Sequence, residues 1–152
     1  MTTVREDSLR RLRASASSVW LVQCNPRVTD VLANRTLPTT WCVRRHVADI
    51  RAGDSVVWWL SGPRSGVYAL GEVTGAVRRP PFTARTGARP PAAEAPLDLF
   101  VDLRDRPVVR AELRHDTRFV GEPILRQPFA ANPHRVSHDA FAAILERVDP
   151  AA

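Results

Sequence analysis

The chain has 152 residues, of which 44% are hydrophobic and 25% charged, with two cysteines and a formal net charge of +6. A chain of this length and balance suits one globular domain with a core of its own. These properties exclude a disulfide scaffold, a low-complexity polymer and, with no apolar run of about 18 residues, a helical membrane span. Every one of the 22 basic residues is Arg. A positive balance suits a polyanionic partner such as nucleic acid, although GC-rich codon usage alone gives an all-Arg pattern. Cys24 and Cys42 form no CxxC pair and have no His at finger-like spacing, so neither a zinc site nor another metal site is expected. They read as buried thiols in a reducing, cytoplasmic setting. No signal-peptide pattern opens the chain.

Residues 1–18 are polar and rich in Arg and Ser, and read as a flexible N-terminal arm despite Leu9 and Leu12. Val19–Cys24 is a short apolar run with β-branched and aromatic residues, a buried strand. Asn25-Pro26 suits an N-cap and first helical position, and Val28, Val31 and Leu32 then mark one face of a short helix ending near Asn34. Thr36–Thr40 is a loop that carries on into an exposed Trp41. Val47–Arg51 suits one helical turn, and Gly53-Asp54 is a turn that launches a strand over Ser55–Ser61. A hairpin loop at Pro63–Gly66 leads to a second strand, Val67–Val77, in which Gly71 and Gly75 suggest bulges or close backbone approach.

Residues 78–96 are rich in Pro, Ala and Arg and lack periodicity, and read as a mobile loop. Leu97–Leu103 alternates as a strand, and Val108–Leu113 is another after a turn at Asp105-Arg106-Pro107. Residues 114–128 are irregular. Ser137 is an N-cap with Asp139 in the first turn, and Phe141, Ile144, Leu145 and Val148 form the apolar face of a closing helix. Several short strands with a few helices make an α+β domain over residues 19–149, a small mixed β-barrel with helices packed at its rim.

The motifs resemble those of the EVE domain family. Trp20-Leu21-Val22-Gln23-Cys24-Asn25-Pro26 is similar to the family's opening strand and helix start. Trp41 to His46 followed by Ile50-Arg51-Ala52-Gly53-Asp54 is similar to its loop Trp and "I-x-x-G-D" turn. Trp58 to Gly62 with Gly66 to Val73 resembles its central hairpin, and Phe129 to Ser137 its terminal motif. The resemblance implies a PUA-like fold related to YTH domains. It also implies a pocket for a modified base in DNA or RNA, with roles in bacterial defence or RNA modification. His134 and the Pro-rich 78–96 segment depart from the family pattern.

Three of the four tryptophans fall within residues 41–59. Trp58 and Trp59 must point to opposite faces of their strand. Trp59 shares its face with Ser61, a polar group at the strand end, so Trp59 and Ser61 are expected in the pocket and Trp58 in the core. Trp41 is expected as the facing wall, since stacking contributes about 1–3 kcal/mol per base. The Asn132 amide, donor and acceptor together, suits a base edge; a turn before Pro133 is its structural alternative. Backbone groups of Cys42, Val43 and Gly62 are further expected contacts. Arg44, Arg45 and His46 suit phosphates beside a flipped nucleotide.

No catalytic residue and no cofactor are expected. The chain has no nucleophile elbow and no Gly-rich phosphate loop. The resemblance implies that some PUA-like relatives are hydrolases that look dependent on a catalytic Lys, and this chain has no Lys. The reading is therefore a nucleic-acid-binding domain that captures one modified base, a modified cytosine first. The alternatives are a hydrolase of modified nucleosides or nucleotides using Glu72 or an Arg in the same pocket, and an accessory domain for a separate nuclease or ATPase.

Overall fold

The computed structural model describes residues 3–26, 36–79 and 92–148. In chain order these form α1 (Val4–Ala14), β1 (Val19–Cys24), β2 (Thr40–Val43), β3 (Ser55–Leu60), β4 (Gly66–Val73), β5 (Ala93–Asp102), β6 (Val108–Val109), α2 (Arg110–Leu113), α3 (Pro123–Arg126), β7 (His134–Val136) and α4 (His138–Glu146). The helix expected after Asn25-Pro26 lies outside the described residues.

The strands make one mixed sheet in the order β2-β5-β4-β3-β1-β7, with β6 added along β4. Among the described strands only β1 and β3 pair in parallel, Val19 opposite Ser55 through Cys24 opposite Leu60. The sheet curls until its two ends meet. Beyond β2, the N–H groups of Arg44 and Arg45 donate to the Asn132 carbonyl just ahead of β7, at 2.8 and 3.0 Å. Curling in this way leaves each edge strand covered at that end.

Two apolar clusters follow from the curl. One draws on strands and loops alone, including Trp20, Val22, Val43, Ile50, Trp58 and Leu99, and fills the concave side. The other joins Leu21, Val57, Trp59, Leu70 and Val101 to helix residues Leu9, Leu12, Leu113, Ile124, Phe141 and Ile144. Strands β1, β3 and β4 are therefore covered on both faces. This is why they read as continuous apolar runs rather than alternating ones. Strand β5 alternates, with odd residues buried and Glu94, Asp98 and Asp102 exposed.

Gly71 marks a register shift between β4 and β5, as its place inside a strand suggested. A Cβ there would lie 1.8 Å from the Asp98 carbonyl oxygen. The extra β5 residue moves the odd side chains from the concave cluster at Leu97 and Leu99 to the helix-covered cluster at Val101.

The Gly53-Asp54 turn has a clear physical role. Gly53 has a φ of +89°. The Asp54 carboxylate is buried and accepts from the Trp20 indole N–H and the Arg51 N–H, each at 2.8 Å. The closing helix α4 forms as expected, with Ser137 Oγ accepting from Ala140 N–H at 3.1 Å. The same hydroxyl donates to the buried Glu122 carboxylate at 2.7 Å, which fixes the approach to α4.

Several expectations are corrected. The N-terminal arm is a helix over Val4–Ala14, closed by a Thr3–Glu6 capping box and anchored by Leu9 and Leu12, which are fully buried. Trp41 lies in strand β2 opposite Ala95, not in an exposed loop. Residues 93–96 of the expected mobile loop belong to β5, and Arg78 pairs with Glu94; residues 80–91 lie outside the described set. The strand expected over Val108–Leu113 stops at Val109, where Arg-Ala-Glu-Leu, four good helix formers, turns into α2. Val47–Arg51 is a turn rather than helix, closed by Asp49 N–H to the His46 carbonyl at 2.9 Å. Cys42 is exposed rather than buried, whereas Cys24 is buried as expected.

Candidate ligand cavity

Parallel pairing of β1 and β3 brings their carboxyl ends to the same place. There they meet the end of β2 and the loop before β7 around a cavity of about 900 Å³. Pocket volumes for small molecules run to about 1,000 Å³. Gln23 and Pro26 come from β1 and its exit, Trp59, Ser61 and Gly62 from β3 and its exit, Cys42 and Arg44 from β2 and its exit, and Pro128 to Asn132 from the loop before β7. Gly62, at a φ of +100°, lets the chain turn at the cavity wall, which Pro63 and Ser65 continue.

Trp59 forms part of the floor but is only 2% exposed. One face of its indole stacks on Phe119 at 6.2 Å and 10°. It offers the cavity a sliver of its surface rather than a free face. Ser61 continues the parallel ladder: its N–H and its hydroxyl both donate to the Cys24 carbonyl, at 2.9 and 3.0 Å.

Asn132 lines the cavity, and its amide works as a clasp on the wall. Oδ1 accepts from Gln23 N–H at 2.7 Å and Nδ2 donates to the Gln23 carbonyl at 2.9 Å. The amide so extends the β1–β7 ladder, in which Leu21 faces His134, by one further rung. Those two hydrogen bonds are made within the protein, in a long-range clasp that neither base-edge reading nor a local turn before Pro133 describes. The peptide between Asn132 and Pro133 is cis.

The structure does not bring Trp41 and Trp59 together. Trp41 packs edge-on against Trp58 at 6.3 Å and 79°, in the concave cluster, and its indole N–H donates to the Gln23 carbonyl at 3.2 Å. Trp41 thus braces the wall from behind. Val43 is buried in the same cluster. Trp58 is core, as expected.

Of the three residues expected at phosphates, Arg44 is exposed and reaches the cavity. Arg45 and His46 are half-buried away from it. The His46 ring lies 5.4 Å from Trp20, and Arg135 covers that same indole at 4.9 Å while pairing with Asp49.

Sequence reasoning missed Gln23, Arg110 and Phe129. Their signal is topological, since no local motif marks the ends that the curl collects. The buried His134 sits behind Gln23, with Nε2 3.3 Å from Gln23 Oε1. Burial first, then the Arg45 guanidinium, lowers its pKa, so the ring is neutral near pH 7. Burial pushes the Cys24 thiol up to about 11.

The described lining carries Arg44 and Arg110 and no carboxylate. A groove of about 780 Å³ adjoins it, sharing Gly62, Pro63, Ser65 and Arg110 and adding Arg64, Arg104, Asp105 and Arg114. Arg104 is paired with Asp102. Arg44, Arg64, Arg110 and Arg114 form no ion pair with a described carboxylate, a property they share with Arg13, Arg51 and Arg126 elsewhere. Glu72 lies outside the cavity lining and pairs with Arg11, so it is an anchor for α1.

A curled mixed sheet with helices on its convex face and a cleft where strand ends converge defines a PUA-like domain. The EVE domain model matches residues 18–147, and the chain belongs to that family. No curated protein matches it in sequence.

Among solved structures, a hypothetical protein from Leishmania major is similar at 21% identity and a TM-score of 0.64, over 86% of this chain and 93% of its own. Human THYN1, solved with DNA containing 5-methylcytosine, is similar at 16% identity and a TM-score of 0.58, over 88% and 100%. The YTH domain of Zygosaccharomyces rouxii MRB1, solved with N6-methyladenosine RNA, is similar at 14% identity and a TM-score of 0.50, over 87% and 84%. At these identities the likeness is one of fold.

Proposed function

We propose that this protein is a nucleic-acid reader that takes a single modified base, a modified cytosine in DNA first, into the cavity at the ends of β1 and β3. The observation that carries the reading is the cavity's composition. Its described lining combines apolar side chains, amide and hydroxyl groups and two arginines, Arg44 and Arg110, that form no ion pair with a described carboxylate. That combination suits a flat heteroaromatic ring with phosphates attached.

Gln23, Ser61 and the remaining hydrogen-bonding capacity of Asn132 supply edge contacts. Cys42 and Gly62 lie within the same walls. Trp59 and the prolines supply apolar surface. Arg44 and Arg110 meet the flanking phosphates. The described lining holds no carboxylate or imidazole to move a proton, which favours binding over hydrolysis. THYN1 with 5-methylcytosine DNA supports DNA as the polymer, and the YTH domain with N6-methyladenosine RNA supports RNA as the second choice. A binding domain of this kind would work beside a separate effector such as a nuclease or ATPase.

Anisotropy titration of labelled oligonucleotides tests this. The set carries cytosine, 5-methylcytosine, 5-hydroxymethylcytosine, adenine and N6-methyladenine in DNA and RNA. One modified base should bind best, and R44A and R110A should each reduce the slope of log affinity against log salt by about 0.7–0.9. Equal affinity for all oligonucleotides, modified or not, would refute the reading.

A further inference from the structure

Phe129 is 98% exposed, the most exposed large apolar side chain among the described residues. Scattered exposed apolar side chains are ordinary on a protein surface. This one stands on the rim of the cavity. Its mounting is also firm. Before it, Gln127 N–H donates to the Pro123 carbonyl at 2.8 Å, and Ala130 N–H closes the turn onto the Gln127 carbonyl at 3.0 Å. After it, Asn132 is gripped by Gln23 through its side chain and by Arg44 and Arg45 through its carbonyl. The ring is held out into solvent by a turn anchored at both ends.

A base in a duplex must leave its stack to enter such a cavity, which costs pairing and stacking. It leaves a gap one base thick beside an orphaned partner. Apolar side chains of DNA-bending proteins, Phe among them, enter base steps in this way. We propose that Phe129 is a wedge that enters duplex DNA in place of the base received by the cavity. The inference rests on the base-reading function above and deepens it, by making a duplex the substrate.

The test compares wild type, F129A and F129W by anisotropy. Each is titrated with a duplex carrying 5-methylcytosine, 5-hydroxymethylcytosine or N6-methyladenine in turn, and with the same modified strand alone. A 2-aminopurine beside the modified base reports unstacking. Phe129 touches almost nothing, so F129A should melt with wild type. Duplex affinity should fall by about tenfold or more in F129A, as for loss of one aromatic–base stack. The 2-aminopurine signal should fall with it, the loss on the single strand should be several-fold smaller than on the duplex, and F129W should restore the duplex. Equal loss on duplex and single strand would overturn the wedge and make Phe129 a platform for a neighbouring unpaired base. Wild-type binding with no duplex loss in F129A would overturn the wedge alone. No wild-type binding to any of these strands would overturn the base-reading function and the wedge together.

Discussion

Replacing Asn132 by Ala separates a structural clasp from a base reader. The change deletes the two hydrogen bonds that the amide makes to the Gln23 peptide. The Gln23 carbonyl keeps the Trp41 indole as a donor, but the Gln23 N–H loses its acceptor. Two hydrogen bonds at about 0.5–1.5 kcal/mol each, with the penalty for an unpartnered N–H, make a loss of about 3 kcal/mol. In a domain of this size that is a fall in melting temperature of about 6–12 °C. N132D should also destabilise, because it keeps the acceptor for Gln23 N–H while setting a carboxylate oxygen against the Gln23 carbonyl. Differential scanning calorimetry with parallel anisotropy measures both properties. N132A that melts with wild type but no longer binds would refute the clasp and assign the amide to the ligand.

The remaining predictions follow from burial. W59A should lose about 3–5 kcal/mol in urea denaturation, as for other large buried aromatics, so its binding defect would not isolate a ligand contact; a loss under about 1 kcal/mol would contradict the packing on Phe119. His134 has a folded-state pKa below its ordinary value of 6.5, so the unfolded chain takes up the proton first. Its stabilising contribution is complete above pH 6.5 and is lost as the pH falls below it, and H134Q should flatten that part of the stability profile. At pH 8 a thiol reagent should label Cys42, which is exposed in the cavity wall, and spare the buried Cys24. Mass spectrometry showing Cys24 labelled at the same rate would refute this, and oligonucleotide should protect Cys42 if the cavity is occupied.

The legible parts of this sequence are those where local chemistry and tertiary structure agree. Gly53-Asp54 announces a turn, and the turn is built on a positive φ and a buried carboxylate. Ser137 announces a cap, and α4 follows it. Helix α1 was also encoded locally, since Thr3 and Glu6 form a capping box; its mostly charged surface hides the two leucines that anchor it. The tryptophans were harder to place. Alternation separates Trp58 from Trp59, but it cannot say that both faces of β3 are covered. Nor can it say that Trp41 meets Trp58 across the curl rather than Trp59 across a cavity. Gln23 and Asn132 are 109 residues apart in the chain, and only closure of the sheet reveals their contact.

That separation also bears on time. A contact spanning so much of the chain is among the most expensive in loop entropy, and such non-local pairings slow folding. The cavity wall exists only once residues near position 23 and position 132 have been gathered to one place. Binding competence should therefore arise late in refolding, after the β3–β4 hairpin. Pulse-labelled hydrogen exchange at the Gln23 amide would time it, and protection of that amide before the hairpin amides would contradict the order. A chain still emerging during synthesis, with residue 132 unmade, carries most of its strands and none of its grip.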